Sequence, residues 1–145
     1  MIGAGYSVGT MDENAGETEL DRTNRDLVER FFAASERGDL AALRTLVDDQ
    51  MLMIWPQSGE RFRGRDNVLA AMGAVEVKPQ FAGPPRLIGS GHVWVLMVPL
   101  RYGEDVLDYV AILELANGRI RQATGYWGAP FPAQEARAPF VDRDG

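Results

Sequence analysis

Cysteine is absent from this 145-residue chain, and histidine occurs once, as His92. A chain without thiols can form neither disulfide bonds nor zinc–cysteine sites, which fits a reducing, cytoplasmic location. A single histidine without a cluster of carboxylates offers no metal-ligand set, and no glycine-rich phosphate loop joins a strand to a helix. We therefore expect neither a metal nor a cofactor.

Positive charge is also scarce, because 15 Lys and Arg stand against 21 Asp and Glu, a net charge of −6. Such a chain repels phosphate backbones and anionic membrane surfaces, so no nucleic acid and no membrane is expected as a partner. No apolar run approaches the roughly 18 residues of a membrane helix. The N-terminal residues 1–18 are neither basic nor continuously apolar, and they are expected to form a tail and not a signal peptide.

The first half of the domain shows the spacing of helices. Apolar residues three and four positions apart predict a helix over Leu20–Arg37, whose buried face is formed by Leu27, Val28, Phe31, Phe32 and Ala34. We expect Gly38 to end this helix and Asp39 to cap a second, shorter helix that closes at the pair Asp48–Asp49. A third helix is predicted over Gly64–Ala74.

The second half of the domain shows the period of two that is typical of strands. A short strand over Met51–Trp55 and a brief return over Glu60–Phe62 precede the third helix. Four further strands are separated by turn residues, among them Asn117-Gly118, a strong hairpin signal; they are Arg86–Gly89, His92–Tyr102, Val106–Leu115 and Arg119–Trp127. Helices followed by an antiparallel meander predict an α+β domain over residues 19–130. Residues 131–145 are predicted to be an extended C-terminal segment.

Alternation along the strands assigns the two faces of the sheet. The wholly apolar face should pack on the helices; it carries His92, Trp94, Leu96, Val98, Leu100, Leu107, Tyr109, Ala111, Leu113, Leu115, Ala123, Gly125 and Trp127. The opposite face carries Val110, Ile112, Ile120 and Tyr126, which is too much apolar area for free exposure to water. We therefore expect a homodimer packed through this outer face.

Several segments resemble a known family. Asn24–Phe32, Gly38–Leu40 and Phe62–Arg65 are similar to the opening of SnoaL-like proteins, and Asn117–Ile120 followed by Gly125–Trp127 resembles the final hairpin of bacterial steroid Δ-isomerases. The resemblance covers Asn24 to Gly128. It implies the nuclear transport factor 2-like α+β cone (a cystatin-like α+β roll), in which three N-terminal helices pack on a curved antiparallel or mixed sheet around a pocket.

The residues that carry steroid isomerisation are missing at the matching positions. Those enzymes use an aspartate base, a tyrosine and a protonated aspartic acid. The resemblance places Phe31 where the tyrosine stands, Ile54 or Trp55 where the base stands, and Ala111 or Val110 where the acid stands. Trp127 matches a tryptophan that lines the isomerase pocket, so the resemblance implies the pocket without this proton chemistry.

Two other enzyme types of this fold are not matched either. The epoxide hydrolases use an Asp-Arg-Asp set on a pocket-facing strand, but the corresponding strand, Val93–Leu100, contains no charge. The SnoaL-type cyclases use an acid near the end of the last strand, where this chain has Gly128.

The fold implied by the resemblance would bring the inward-facing aromatic and aliphatic residues to one pocket. These predicted ligand-binding residues are Phe31, Trp55, Trp94, Leu96, Val98, Tyr109, Ala111 and Trp127. Such a pocket would bind a small hydrophobic, cyclic molecule.

A catalytic role stays open. A general base could be His92, Asp108 or neither, since His92 begins a strand beside Gly91 and Asp108 is predicted on the outer face. The alternatives are therefore a small isomerase, cyclase or hydrolase with a different base, a ligand-binding domain without catalysis, and a dimeric accessory domain without a ligand. An ionisable residue inside the pocket would favour the enzyme.

Overall fold

The computed structural model describes residues 16–142. The predicted tail lies outside the described residues, apart from residues 16–18. Within the described part, the helices are α1 (Glu19–Arg37), α2 (Leu40–Leu46) and α3 (Arg65–Gly73). The strands are β1 (Val47–Trp55), β2 (Glu60–Arg63), β3 (Gln80–Phe81), β4 (Arg86–Ser90), β5 (Val93–Tyr102), β6 (Asp105–Ala116) and β7 (Arg119–Gly128).

Side-chain caps set the starts of the first two helices. Thr18 and Asp21 form a reciprocal capping box, in which the Asp21 N–H donates to Thr18 Oγ1 at 3.1 Å. Gly38 ends α1 with a φ of 70°, a left-handed conformation that favours glycine. Asp39 then caps α2 by accepting the Ala42 N–H at 3.0 Å. The predicted helix boundary at Gly38 and Asp39 is thus confirmed.

The strands form one mixed sheet. Its order is β2-β1-β7-β6-β5-β3, and β4 also pairs with β5. β1 and β7 are parallel, whereas the other pairs are antiparallel. The helices cover one face of this sheet, so the predicted α+β class is confirmed. None of the helices in residues 16–142 is long and apolar enough to cross a membrane.

The sequence predicts that the pair Asp48–Asp49 closes α2, but this is wrong, because both residues lie in β1. α2 ends at Leu46, and the fully buried Val47 begins β1 opposite Ile120. The pairing of β1 with β7 is irregular between Val47 and Leu52, which lets the two aspartates point towards solvent inside a strand. Asp48 accepts the Gln50 N–H at 2.8 Å, a local contact that favours this irregular backbone.

Ile120 is a second correction, because it belongs to the core and not to the outer face. The pairing of β6 with β7 shifts between Glu114 and Leu115: Glu114 stands opposite Gln122, and Leu115 stands opposite Ile120. Arg121 is the extra residue of this bulge, which reverses the alternation of β7 at its start. Ile120 is consequently 0% exposed. The outer set keeps Val110, Ile112 and Tyr126.

Two short elements were not predicted. β3 adds two residues to the edge of β5, pairing Phe81 with Leu100. The segment predicted to be extended contains a 3-10 helix over Glu135–Phe140, and none of the helix is buried.

Candidate functional site

A cavity of about 580 Å³ lies between the three helices and one end of the sheet's inner face. Its helical wall comes from the C-terminal half of α1 and from parts of α2 and α3; it includes Phe31, Phe32, Glu36, Leu43 and Met72. Its sheet wall includes Met53, Trp55, Leu100, Tyr102, Tyr109, Leu113, Ala123, Gly125 and Trp127. Leu40 and Val75 line the cavity and are 39% and 38% exposed, so they form part of its rim.

Trp127 is the centre of an aromatic cluster on the sheet wall. Its ring meets the Trp55 ring edge-on at 5.4 Å between centroids and lies 5.0 Å from the tilted Tyr109 ring. Phe62 packs edge-on against Trp55 at 4.7 Å. Gly125 leaves room for this cluster, because a Cβ there would lie 3.1 Å from the Trp127 ring and 3.4 Å from the Tyr109 ring.

Hydrogen bonds fix Trp127 at its backbone and at its indole. The side-chain amide of Gln57, in the turn between β1 and β2, accepts the Trp127 N–H at 2.6 Å and donates to the Trp127 carbonyl oxygen. The indole Nε1–H of Trp127 donates to the Tyr102 hydroxyl oxygen at 2.9 Å. Three segments that are distant in the sequence thus hold one ring in place on the cavity wall.

Both cavity tyrosines are protonated at neutral pH, because the usual pKa of tyrosine lies well above neutrality and burial raises it. Burial raises the pKa of Tyr109 far above its usual value, and the nearby Tyr102 raises it further. Burial also raises the pKa of Tyr102, although the hydrogen bond from Trp127 acts in the opposite direction. The two hydroxyl groups are therefore neutral hydrogen-bond donors in the cavity wall.

Three ionisable side chains other than tyrosine also line the cavity: Glu36, Glu60 and Lys78. Glu36 Oε2 accepts the Phe81 N–H at 2.9 Å, which ties the end of α1 to β3. Lys78 Nζ lies against Gly38, so closely that a Cβ at Gly38 would collide with it. Acid and base groups are therefore present at a cavity that is otherwise mostly apolar.

The structure divides the predicted site residues into two groups. Phe31, Trp55, Tyr109 and Trp127 lie on the cavity wall. The other four are buried in the core away from the cavity; they are Trp94, Leu96, Val98 and Ala111.

Trp94 shows why the second group is separate. The guanidinium of Arg25 lies 4.9 Å from the centre of its ring, and its Nε1–H donates to the Gly91 carbonyl at 2.9 Å. The N-terminal half of α1 thus seals this end of the sheet. Alternation identifies which face a residue points to, but not which end of that face remains open.

Neither proposed base lies at the cavity. His92 is exposed in the turn before β5, where its carbonyl accepts the Leu115 N–H at 2.8 Å. Asp108 is exposed on the outer face, opposite Gly128. No group of three or more side chains of the metal-binding types comes together anywhere in residues 16–142.

Several residues that line the cavity were not predicted from the sequence. Tyr102 has the same parity as Trp94 and Leu100, so extending the alternation by one step would have identified it. Glu36 follows Phe32 by four residues in the predicted helix, so helical spacing would have placed it on the same face. Gln57 gave no signal, because a turn residue has no periodic pattern to place it.

Comparison with known proteins agrees with this architecture. The family model described as a SnoaL-like domain matches residues 28–123. No curated protein matches the sequence.

Solved structures give the same fold. The crystal structure of an NTF2-like protein of unknown function from Burkholderia xenovorans LB400 is 31% identical, covers 88% of this chain and 100% of its own, and has a TM-score of 0.77. A putative ketosteroid isomerase from Kribbella flavida is 22% identical over 86% of this chain and 91% of its own, with a TM-score of 0.79. A putative SnoaL-like polyketide cyclase from Jannaschia is 14% identical over 77% and 89%, with a TM-score of 0.65. With the family model matching most of its length, this chain belongs to the SnoaL-like domain family of NTF2-like proteins.

Proposed function

We propose that the cavity binds a small, flat, mostly apolar molecule that contains a ring system. The observation that carries this proposal is the aromatic cluster of Trp55, Tyr109 and Trp127 on the wall of a cavity of about 580 Å³. Ligand pockets have volumes of roughly 300–1,000 Å³ and are lined mainly by apolar and aromatic side chains with a few polar groups. A chain without cysteine is compatible with the reducing cytoplasm, where we place this function.

Tryptophan fluorescence tests the proposal. Polycyclic probes that enter the cavity should quench Trp55 and Trp127, whereas Trp94 lies in the core and serves as the unquenched reference. A Trp94→Phe variant should therefore lose fluorescence intensity but keep the full titration. If a panel of steroid-like and polycyclic molecules leaves the emission unchanged, the cluster is ordinary core and the domain has an accessory role without a ligand.

A second candidate is an enzyme of the isomerase, cyclase or hydrolase type. Glu36, Glu60 and Lys78 favour it, because they place possible proton donors and acceptors at the cavity. The similar structures include a putative ketosteroid isomerase and a putative polyketide cyclase, although their low identity supports the fold alone. Loss of turnover in Glu36→Gln or Glu60→Gln, with unchanged ligand affinity, would identify the base. Unchanged turnover in both variants would remove these two residues from the reaction.

We propose in addition that the outer face of the sheet forms a two-fold homodimer. Val110 and Ile112 are only partly buried, and Tyr126 is 41% exposed on this face. Val93, in the strand next to them, is 49% exposed. Analytical ultracentrifugation at micromolar concentration should give a mass near twice 16.0 kDa. Tyr126→Glu should shift the protein to the monomer, and a wild-type monomer would refute the proposal.

A further inference from the structure

The chain continues past β7 as a segment of apolar composition, residues 129–142, which we call the C-terminal arm. Ten of its 14 residues are apolar, counting proline, and three are charged. All 14 are exposed, including the 3-10 helix over Glu135–Phe140. Segments that stay unpacked in solution usually have few aromatic residues and a high net charge. The composition of the arm is instead that of a segment that packs on another surface.

Two phenylalanines are the largest apolar side chains of the arm. Phe131 is 82% exposed and Phe140 is 86% exposed, more than any other large hydrophobic residue in the described part of the chain. Pro130, Pro132 and Pro139 restrict the backbone beside them, so less conformational entropy is lost when the arm packs on a surface. Exposed aromatic rings on a stiffened segment are typical anchors of a protein–protein interface.

The outer face of the sheet offers an apolar surface that begins where the arm begins. Tyr126 stands two residues before the end of β7, so the arm leaves the sheet at the border of this surface. The apolar residues lie side by side on β5, β6 and β7, and each is at least partly exposed. This outer patch consists of Val93, Val95, Met97, Val110, Ile112 and Tyr126.

The outer patch supplies only part of the area that a stable dimer needs. A standard interface buries about 800 Å² on each partner. Four of the six patch residues are already partly buried in the monomer, so they have limited area left to cover. A buried aromatic side chain contributes about 150–250 Å², so Phe131 and Phe140 together would add roughly 250–400 Å² per chain. The arm can therefore provide much of the area that the sheet face lacks.

The arm is also long enough to reach a second copy that packs on the outer face. Residues 129–134 span at most about 20 Å, at about 3.3 Å per residue. The 3-10 helix adds about 12 Å, at about 2 Å per residue. Two sheets that pack face to face are only about 10 Å apart. The contour of the arm thus exceeds the distance between the two sheets.

We infer that the C-terminal arm of each chain packs against the outer face of the other copy, at the margin of the outer patch, with Phe131 and Phe140 as its anchors. This inference rests on the proposed homodimer and adds the element that completes its interface. Because a two-fold dimer uses the same surfaces on both subunits, each chain gives one arm and receives one.

Analytical ultracentrifugation over a concentration series tests the anchors. Phe131→Asp and Phe140→Asp should each raise the dissociation constant of the dimer at least about tenfold, because a few buried aromatic residues carry most of the affinity of an interface. Leu20→Asp is the matched control, since Leu20 is 50% exposed in the first turn of α1, and should leave the constant within about twofold. Both phenylalanines are exposed in the monomer, so circular dichroism should show an unchanged fold in all three variants.

Crosslinking identifies the copy that the arm contacts. The chain has no cysteine, so Val141→Cys provides a single thiol beside Phe140 and keeps both anchors. The thiol is labelled with benzophenone maleimide, and copies grown on natural nitrogen are mixed with copies grown on heavy nitrogen before irradiation. We expect crosslinked peptides of mixed isotope composition that join residue 141 to β5, β6 or β7.

The outcomes separate this inference from the proposed homodimer. A monomeric wild type refutes the homodimer, and the inference with it. A dimer that Tyr126→Glu disrupts, but that the Phe131→Asp, Phe140→Asp double variant does not, overturns the inference alone. The absence of mixed-isotope crosslinks to the outer face also overturns it. Crosslinks within one copy to residues 74–79, which include the cavity residue Val75, would show instead that the arm covers its own cavity.

Discussion

Gly125 leaves space beside the aromatic wall of the cavity, because it has no side chain. It lies in β7 facing the cavity, and a Cβ built there would be 3.1 Å and 3.3 Å from two Trp127 ring atoms. The Trp127 ring cannot easily retreat, because Trp55 packs against it and Tyr102 holds its indole nitrogen. We therefore expect Gly125→Ala to move the ring by a few tenths of an ångström into the space that a ligand would occupy.

Two effects on stability oppose each other in this variant. Alanine in a strand is better than glycine by about 0.5–1 kcal/mol. Forcing a methyl group into a packed site costs about 1–3 kcal/mol. The second effect is larger, so the free energy of unfolding should fall by about 1 kcal/mol, and the variant should still fold. Binding should suffer more, with affinity for polycyclic probes falling about tenfold, or about 1.4 kcal/mol.

Gly128→Ala provides the matched control in the same strand. A Cβ at Gly128 would meet its nearest neighbour, the Asp108 carbonyl oxygen, at 3.9 Å, an ordinary contact outside the cavity. Thermal melts and fluorescence titrations of the two variants should thus separate a general effect on the strand from an effect on the cavity. Wild-type affinity in Gly125→Ala would refute the argument that Trp127 contacts the ligand.

Three further predictions concern the ligand, the reaction and pH. Trp127→Ala should weaken ligand binding by about 1–3 kcal/mol in calorimetry. The ligand affinity of the wild type should hardly change between low and high salt, because contacts in an apolar cavity are not screened. A strong salt dependence would reveal an ionic site. A Δ5-3-ketosteroid should not be isomerised at a rate within tenfold of an authentic isomerase, because Phe31, Trp55 and Ala111 supply neither the base nor the oxyanion donors that the isomerases have at these positions. The Gly91 N–H, at 2.7 Å, and then Thr18 hold the pKa of Asp21 below its usual value of 3.8, so Asp21 stabilises the fold above that pH. This stabilisation is lost as the pH falls through the lowered pKa, and the difference in melting temperature between wild type and Asp21→Asn should shrink there; a constant difference would contradict it.

The helices and the faces of most strands could be predicted because local signals determine them. A glycine and an aspartate mark the boundary between α1 and α2, and both act there as their chemistry requires. Alternation placed Trp94, Tyr109 and Trp127 on the inner face, where the structure has them. These features depend only on neighbours along the chain, so the sequence contains enough information to locate them.

Ile120 could not be predicted, because its orientation depends on pairing between strands. The bulge at Arg121 lets Leu115 and Ile120 stand opposite each other, and it gives the start of β7 the opposite parity to its end. The sequence of β7 contains no glycine or proline at this point that would mark a bulge. A strand read alone therefore gives the wrong face for its first residue.

The extent of the cavity was beyond prediction for a related reason, since it depends on which part of the sheet α1 covers. At the sealed end, Arg25 bonds to Glu17 at 2.7 Å and lies over Trp94, and Asn24 donates to the Gly91 carbonyl at 2.7 Å. These contacts anchor the start of α1 to the turn before β5. Towards its C-terminal end the helix forms the wall of the cavity opposite the sheet, and its last turn meets β3.

The volume of the cavity has an energetic consequence that bears on function. If a void of about 580 Å³ were closed and empty, the cost at about 24 cal/mol per Å³ would be about 14 kcal/mol, as large as the whole stability of a domain. The exposed Leu40 and Val75 on its wall show that the cavity is open to solvent, which can occupy it. Water in an apolar space makes few hydrogen bonds, so a flat apolar molecule would displace it favourably. Under the proposed function, the sealed end would supply the stability of the fold, and the open end would gain stability when a ligand fills it.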